Sequence, residues 1–142
     1  MTSIPLLQQD LTESVIGAFY EVYNTLGFGF FESVYVAALQ RELELRGPAV
    51  ARELAVRVTY KGQEVAMQRL DMVVAGNVVV EVKSTHDLSK AAPRPVYNYL
   101  RAANIDVGLL LHFGPQPKFH RMISTRRGTN PPDPRKQLNP AK

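Results

Sequence analysis

Leu7, Leu11, Val15, Phe19, Val22 and Leu26 recur at helical spacing near the start of the chain, so they share one face of a 3.6-residue period. The spacing predicts a first helix from about Leu7 to Thr25, stopped by Gly27-Phe28-Gly29. A second stripe, Tyr35, Val36, Leu39 and Leu43, predicts a helix from near Phe31 to about Leu45, ended by Gly47-Pro48. The apolar pattern then tightens. Three segments, roughly Val50–Tyr60, Gln63–Val74 and Val78–Lys83, read as strands, and Lys61-Gly62 turns the first into the second. A helix from about Pro93 to Ala103 follows, with proline tolerated in its first turn. A strand over Ile105–Phe113 and a short one over Lys118–Ile123 complete the order. That order points to an α/β sandwich around a mixed sheet, not a doubly wound one.

With 142 residues the chain can form one domain with a real core, whereas two independent domains would each be too small. Cysteine is absent, which excludes a disulfide framework and a thiolate metal site and suits a reducing compartment. The opening residues Met1 to Pro5 lack the basic and long apolar regions of a signal peptide. No apolar run approaches the length of about 18 that a membrane span needs. A soluble, cytoplasmic protein without membrane contact is therefore expected. The net charge of +4 is unevenly placed: from Gly114 onward, seven Lys or Arg accompany a single acidic residue, Asp133. The domain is expected to span residues 1–123, with 124–142 a basic, Pro-rich, disordered tail. Such a tail can hold a polyanion by counterion release or serve only as a solubilising end.

The chemistry concentrates in one hairpin. Ala75-Gly76-Asn77 joins the second and third strands with residues that tolerate φ > 0. A turn centred on Gly76 sets Asp71 opposite Glu81, with Cβ atoms roughly 4.5–5.5 Å apart. Two carboxylates that close repel each other unless a cation or a proton lies between them. Lys83, two residues past Glu81, projects from the same face. The ordinary alternative is a solvated face carrying a weak Glu81–Lys83 ion pair. Against it, Val78-Val79-Val80 and Val82 make the nearly continuous apolar run of a strand buried on both faces. Acidic groups in such a strand are costly without compensation.

Glu32 is a second anomaly, because it lies on the core-facing stripe of the second helix, one turn before Tyr35 and Val36. The helix dipole explains an acid in a first turn but not its choice of face. A helix packed on the sheet near the hairpin would aim Glu32 toward Asp71 and Glu81. The histidines have weaker claims. His86 reads as an exposed loop residue, His112 as a satisfied strand residue and His120 as part of the basic C-terminal stretch, and none shows zinc-type spacing.

Gly29-Phe30-Phe31-Glu32-Ser33-Val34-Tyr35 resembles the Gly-x-x-Glu-x-x-Tyr signature of the GxxExxY proteins, a family of the PD-(D/E)XK nuclease superfamily. Asp71 followed by Glu81-Val82-Lys83 is similar to the superfamily's Asp…(Asp/Glu)-x-Lys core. Asn98-Tyr99-Leu100 and Val107 to Gly114 resemble the family's closing helix and strand, so the likeness covers about residues 9–123. It implies a restriction-endonuclease-like α/β/α sandwich with a central mixed sheet and a Mg²⁺- or Mn²⁺-dependent phosphodiesterase site acting on nucleic acid, DNA first. Asp71, Glu81 and the Val82 carbonyl would hold the metal, and Glu32 would complete its shell. Lys83 would orient or help deprotonate the attacking water, and Tyr35 would bond Glu32 or a substrate phosphate. Lys90, Arg94 and Arg101, on or beside the last long helix, are candidates to contact phosphate.

The chain also departs from that pattern. Where many members carry a glutamine four residues before the tyrosine of the last helix, this chain has Pro95, which lacks both a side-chain amide and a backbone N–H. Tyr23 stands for the usual histidine, and Phe28 for the proline of a Gly-Pro-Gly turn. Three readings follow: a metal-dependent nuclease, a nucleic-acid-binding module that keeps the fold but has lost efficient catalysis, and a structural domain with an incidental acidic pair. No base-reading helix or aromatic stacking platform stands out. A homodimer is compatible with cutting two strands, though nothing in the sequence demands one.

Overall fold

Helix α1 (Gln9–Leu26) buries Val15, Ala18, Phe19 and Val22, and α2 (Glu32–Arg46) buries Tyr35, Val36, Leu39 and Leu43. These are the stripes that the helical spacing predicts. The structure is a computed structural model that describes residues 8–124 and 138–140; the expected helix start at Leu7 lies outside them. Three strands follow as expected: β1 (Val50–Tyr60), β2 (Gln63–Val74) and β3 (Val78–Lys83). Helix α3 (Pro93–Ala103) then leads to β4 (Val107–Phe113) and β5 (Pro117–Ile123).

The apolar pattern places the start of the fourth strand at Ile105, but β4 begins at Val107. Asn104 takes a left-handed conformation (φ 58°) at the end of α3, and Ile105 N–H donates to Leu100 O at 3.0 Å. Ile105 therefore closes the helix, in the manner of a left-handed cap. All seven residues of β4 are buried.

The sheet runs β5-β4-β3-β2-β1-β6, where β6 is Leu138–Pro140. Only β3 and β4 are parallel, with α3 as their crossover; the other neighbours are antiparallel. Strand β6 falls in the stretch expected to be disordered. It pairs with Leu54, Ala55 and Val56 of β1, and an open sheet edge offers backbone pairing whatever the apolar content of the partner. The rest of the expected tail, 125–137 and 141–142, lies outside the described residues.

Helices α1 and α2 cover one face of the sheet, packing on Met72, Val74, Val78, Val80, Val82, Leu109 and Leu111. Helix α3 covers the other, where Val96 and Leu100 meet Leu70, Val73, Val79 and Leu110. The result is a mixed α/β sandwich consistent with a restriction-endonuclease-like fold. No helix among the described residues is long and apolar enough to cross a membrane.

One irregularity positions the site. Leu70 and Val73 both pack beneath α3, whereas Met72 packs beneath α1 and α2. Strict alternation would put Leu70 with Met72, so the strand changes face between them, at Asp71. Its cross-strand position on β1 is Glu53, which has φ 56°, and the pairing runs Arg52↔Met72 then Leu54↔Leu70 with neither residue in the ladder. Left-handed backbone at a non-glycine residue is the mark of a bulge-like break. Both strands kink together, and Asp71 is freed from ordinary pairing at the point where its carboxylate is used.

Candidate functional site

The β2–β3 turn meets its expected form. Ala75 (φ 51°) and Gly76 (φ 70°) are consecutive left-handed residues, and Asn77 N–H donates to Val74 O at 3.0 Å, as in a type I′ hairpin turn. The register Met72↔Val80, Val73↔Val79, Val74↔Val78, carried one step further, sets Asp71 opposite Glu81. Instead of completing the ladder, Asp71 Oδ2 accepts the Val82 N–H at 2.8 Å.

Alternation along β3 turns Val78, Val80 and Val82 toward α1 and α2 and Val79 toward α3, so Glu81 and Lys83 emerge beneath α3. The Glu81 side chain is only 13% exposed, and Lys83 Nζ stands 3.9 Å from its Oε2. Its Oε1 is buried and has no hydrogen-bond partner. Burial pushes the Glu81 carboxyl up to about 8, with the facing Asp71 carboxylate adding to the rise and the Lys83 ammonium opposing it. At neutral pH the pair without a cation therefore holds a proton between its two carboxyl groups, one of the two ways such neighbours coexist.

Tyr99, on α3, faces the same pair. Burial and then the charges of Glu81 and Asp71 raise its hydroxyl above the ordinary tyrosine value. In the sequence, Tyr99 stands out only as part of a resembling block; the signal for its place is its position beside the helix stripe of Val96 and Leu100. Beside Lys83 in the parallel register lies His112 of β4. His112 is buried, and its Nε2 lies 2.8 Å from Thr85 O and 3.1 Å from Thr85 Oγ1. The expected satisfied strand histidine is thus satisfied at one nitrogen, while its Nδ1 is buried without a partner.

Other expected site residues are placed elsewhere. Helix α2 packs on the face opposite the acidic pair, so it does not aim Glu32 into it. The Glu32 carboxylate instead accepts the Ser84 N–H at 3.2 Å, at the end of β3. Among the described residues no three His, Asp or Glu side chains gather as a metal set. Tyr35 is fully buried and stacked on Phe113 at 4.0 Å. Its hydroxyl donates to Gly27 O and accepts the Phe30 N–H at 3.2 Å, so it braces a loop.

Lys90, Arg94 and Arg101 are exposed. Helix geometry turns the two arginines roughly 140–160° away from Tyr99, onto the outer surface of α3. Pro95 is exposed in the first turn of that helix. Tyr23 OH lies 2.7 Å from Gly114 O and 2.9 Å from Pro115 O, which ties α1 to the end of β4. His86 is exposed, as expected, and so is His120 on β5.

The residues present fit a hard divalent cation. Two adjacent carboxyl groups, one with a buried and unpartnered oxygen, form an oxygen donor set whose charge is under-compensated. Mg²⁺ typically needs only one or two carboxylates, filling its other positions with water and substrate phosphate.

A family model of the PD-(D/E)XK nuclease superfamily matches residues 9–123. Searches of curated proteins and of solved structures gave no match. The matched span runs from the first turn of α1 to the last residue of β5 and contains the acidic pair, Lys83 and Tyr99, so the chain belongs to the PD-(D/E)XK nuclease superfamily.

Proposed function

We propose that this chain is a metal-dependent nuclease that hydrolyses phosphodiester bonds in nucleic acid, DNA in the first instance. We also assign it to the GxxExxY branch of its superfamily, through Gly29, Glu32 and Tyr35. One observation carries the reading: a buried glutamate with a free carboxyl oxygen faces Asp71 and has an ammonium beside it. Mg²⁺ or Mn²⁺ held by Asp71, Glu81 and the Val82 carbonyl would supply Lewis acidity and a water of lowered pKa.

The chain's own groups do the rest. Glu81 would hold such a cation as its carboxylate, and its neighbour Lys83 orients the attacking water and faces the charge that builds on the phosphorane-like transition state. Tyr99, whose hydroxyl stays protonated beside two carboxylates, donates a hydrogen bond to a phosphate oxygen. Glu32 serves the site at one remove, by fixing the backbone of Ser84. A homodimer would suit cleavage of both strands.

Labelled DNA and RNA incubated with Mg²⁺ or Mn²⁺ test the proposal. Wild type should cleave, Glu81→Gln should retain binding and lose turnover, and Lys83→Ala should slow cleavage by about 100-fold or more. Pro95 favours a second reading, a binding module without efficient catalysis, because the first turn of α3 carries no side-chain amide there. In that case wild type binds without cutting, and Glu81→Gln leaves binding unchanged.

A further inference from the structure

The loop between α1 and α2, Gly27 to Phe31, exposes aromatic surface that the core does not use. Phe28 is 44% exposed, Phe30 46% and Phe31 85%. Phe rings normally supply core burial, and this one short loop exposes three of them. The loop is not loosely attached. Gly27 and Gly29 hold φ values of 73° and 120°, which give a backbone path that other residues rarely follow. Beneath it, the Tyr35 hydroxyl joins Gly27 O to Phe30 N–H. The rings are presented outward by a braced backbone.

The position of the loop indicates what covers it. Ser84 Oγ donates to Phe30 O, and Ser84 N–H donates to Glu32 just beyond Phe31. Ser84 directly follows Lys83. The aromatic loop is therefore bonded to the strand end that carries the site's ammonium. The Phe28 ring meets the exposed His86 ring edge-on at 6.5 Å between centroids. Flat rings on a loop bonded to Ser84, with the imidazole of His86 beside one of them, suit nucleobases, whose π-faces stack on aromatic side chains whatever the sequence. A paired duplex hides those faces, so only unpaired bases can use them.

We propose that Phe28, Phe30 and Phe31 form a stacking platform for unpaired bases, and that the nucleic acid taken by this site is single-stranded or has a single-stranded end. The proposal rests on the nuclease reading and narrows its substrate class. No platform is legible along the chain, because Phe28 belongs to a helix-stop segment, Phe30 follows it and Phe31 is the N-cap of α2; only the fold brings the loop to the end of β3.

Fluorescence anisotropy tests it, using a labelled single-stranded oligonucleotide and the blunt duplex of the same sequence, with EDTA present to prevent cleavage. Wild type should prefer the single strand. Phe31→Ala, at the most exposed ring, should weaken single-strand binding roughly 5- to 150-fold with little change on the duplex, and Phe31→Trp should restore it. Equal loss on both forms, or no loss on either, overturns the platform. A wild-type dimer that Phe31→Ala splits in sedimentation also overturns it, because the rings then cover a second copy of the chain. If wild type binds neither form, the nuclease reading falls with the platform. If wild type binds or cleaves nucleic acid and Phe31→Ala matches it on every form, only the platform falls.

Discussion

Asp71 and Glu81 face each other across a hairpin at a point where β2 changes face, and Asp71 closes the gap by taking the Val82 N–H at 2.8 Å. The kink lets a carboxylate enter a strand pair that would otherwise be filled by backbone hydrogen bonds. The energetic consequence falls on Glu81, which is buried beside a like charge.

That consequence has a sign. Glu81 is raised from 4.5 to about 8 in the folded protein, so the native state holds a proton there that the unfolded chain releases above about pH 4.5. Stability then falls as pH rises. The contribution is fully present below pH 4.5 and is lost as pH passes through about 8, with a slope of at most about 1.4 kcal/mol per pH unit. Glu81→Gln should flatten this window in urea unfolding measured from pH 5 to pH 9. If wild type and variant give parallel stability curves, Glu81 is not a protonated acid in the native fold.

The same proton makes cation binding pH-dependent. Loading the pair requires Glu81 to ionise, so apparent affinity for Mn²⁺ should rise about tenfold per pH unit below pH 8 and level off above it. Thermal melting provides the readout, since a ligand of the native state raises Tm as its occupancy grows. The Asp71→Asn/Glu81→Gln double variant should melt higher than wild type at neutral pH without metal, because an amide at position 81 needs no proton uptake to be buried, and should gain nothing from Mn²⁺. Equal responses of the two proteins would remove the acidic pair as a metal site.

Much of this arrangement is legible in the chain. Val50–Tyr60, Gln63–Val74 and Val78–Lys83 are strands with the expected bounds, because Val-rich runs between glycine turns leave little choice. The Asp71–Glu81 opposition follows from placing Gly76 at the turn. Glu32 is misplaced by the same kind of reasoning, since helical spacing tells which side of a helix faces the core but not which face of the sheet that helix covers. Tyr35 escapes it for a related reason: a buried hydroxyl can be satisfied by backbone brought near only in the fold, here Gly27 and Phe30. The kink at Glu53 and Asp71 has no local signature either, because neither residue is glycine and the positive φ of Glu53 is imposed by the sheet.

Tyr35→Phe isolates that hydroxyl. The ring stays against Phe113, while Gly27 O and Phe30 N–H are deprived of their shared partner. Leaving such groups short of a hydrogen bond costs about 1–3 kcal/mol, so the urea midpoint should drop with the m-value unchanged. Affinity for duplex DNA should be unaltered, because the hydroxyl is buried. A variant with native stability and weakened duplex binding would return Tyr35 to the substrate.

Arg94 and Arg101 give the last test. Both are exposed and seven residues apart in sequence on the outer surface of α3, which separates them by about 10 Å along the helix axis. A nucleic-acid backbone crossing that surface could reach both, and each phosphate it brings to an arginine releases counterions, which makes binding salt-dependent. Replacing the two with Ala should lower the slope of log affinity against log salt by about 0.7–0.9 for each phosphate no longer neutralised. Base preference should stay as it is, because phosphate contacts position the strand without reading it. The measurement needs only binding, so it holds for the nuclease and the binding module alike. An unchanged slope would route the backbone past the opposite side of α3, where Tyr99 and Lys83 lie.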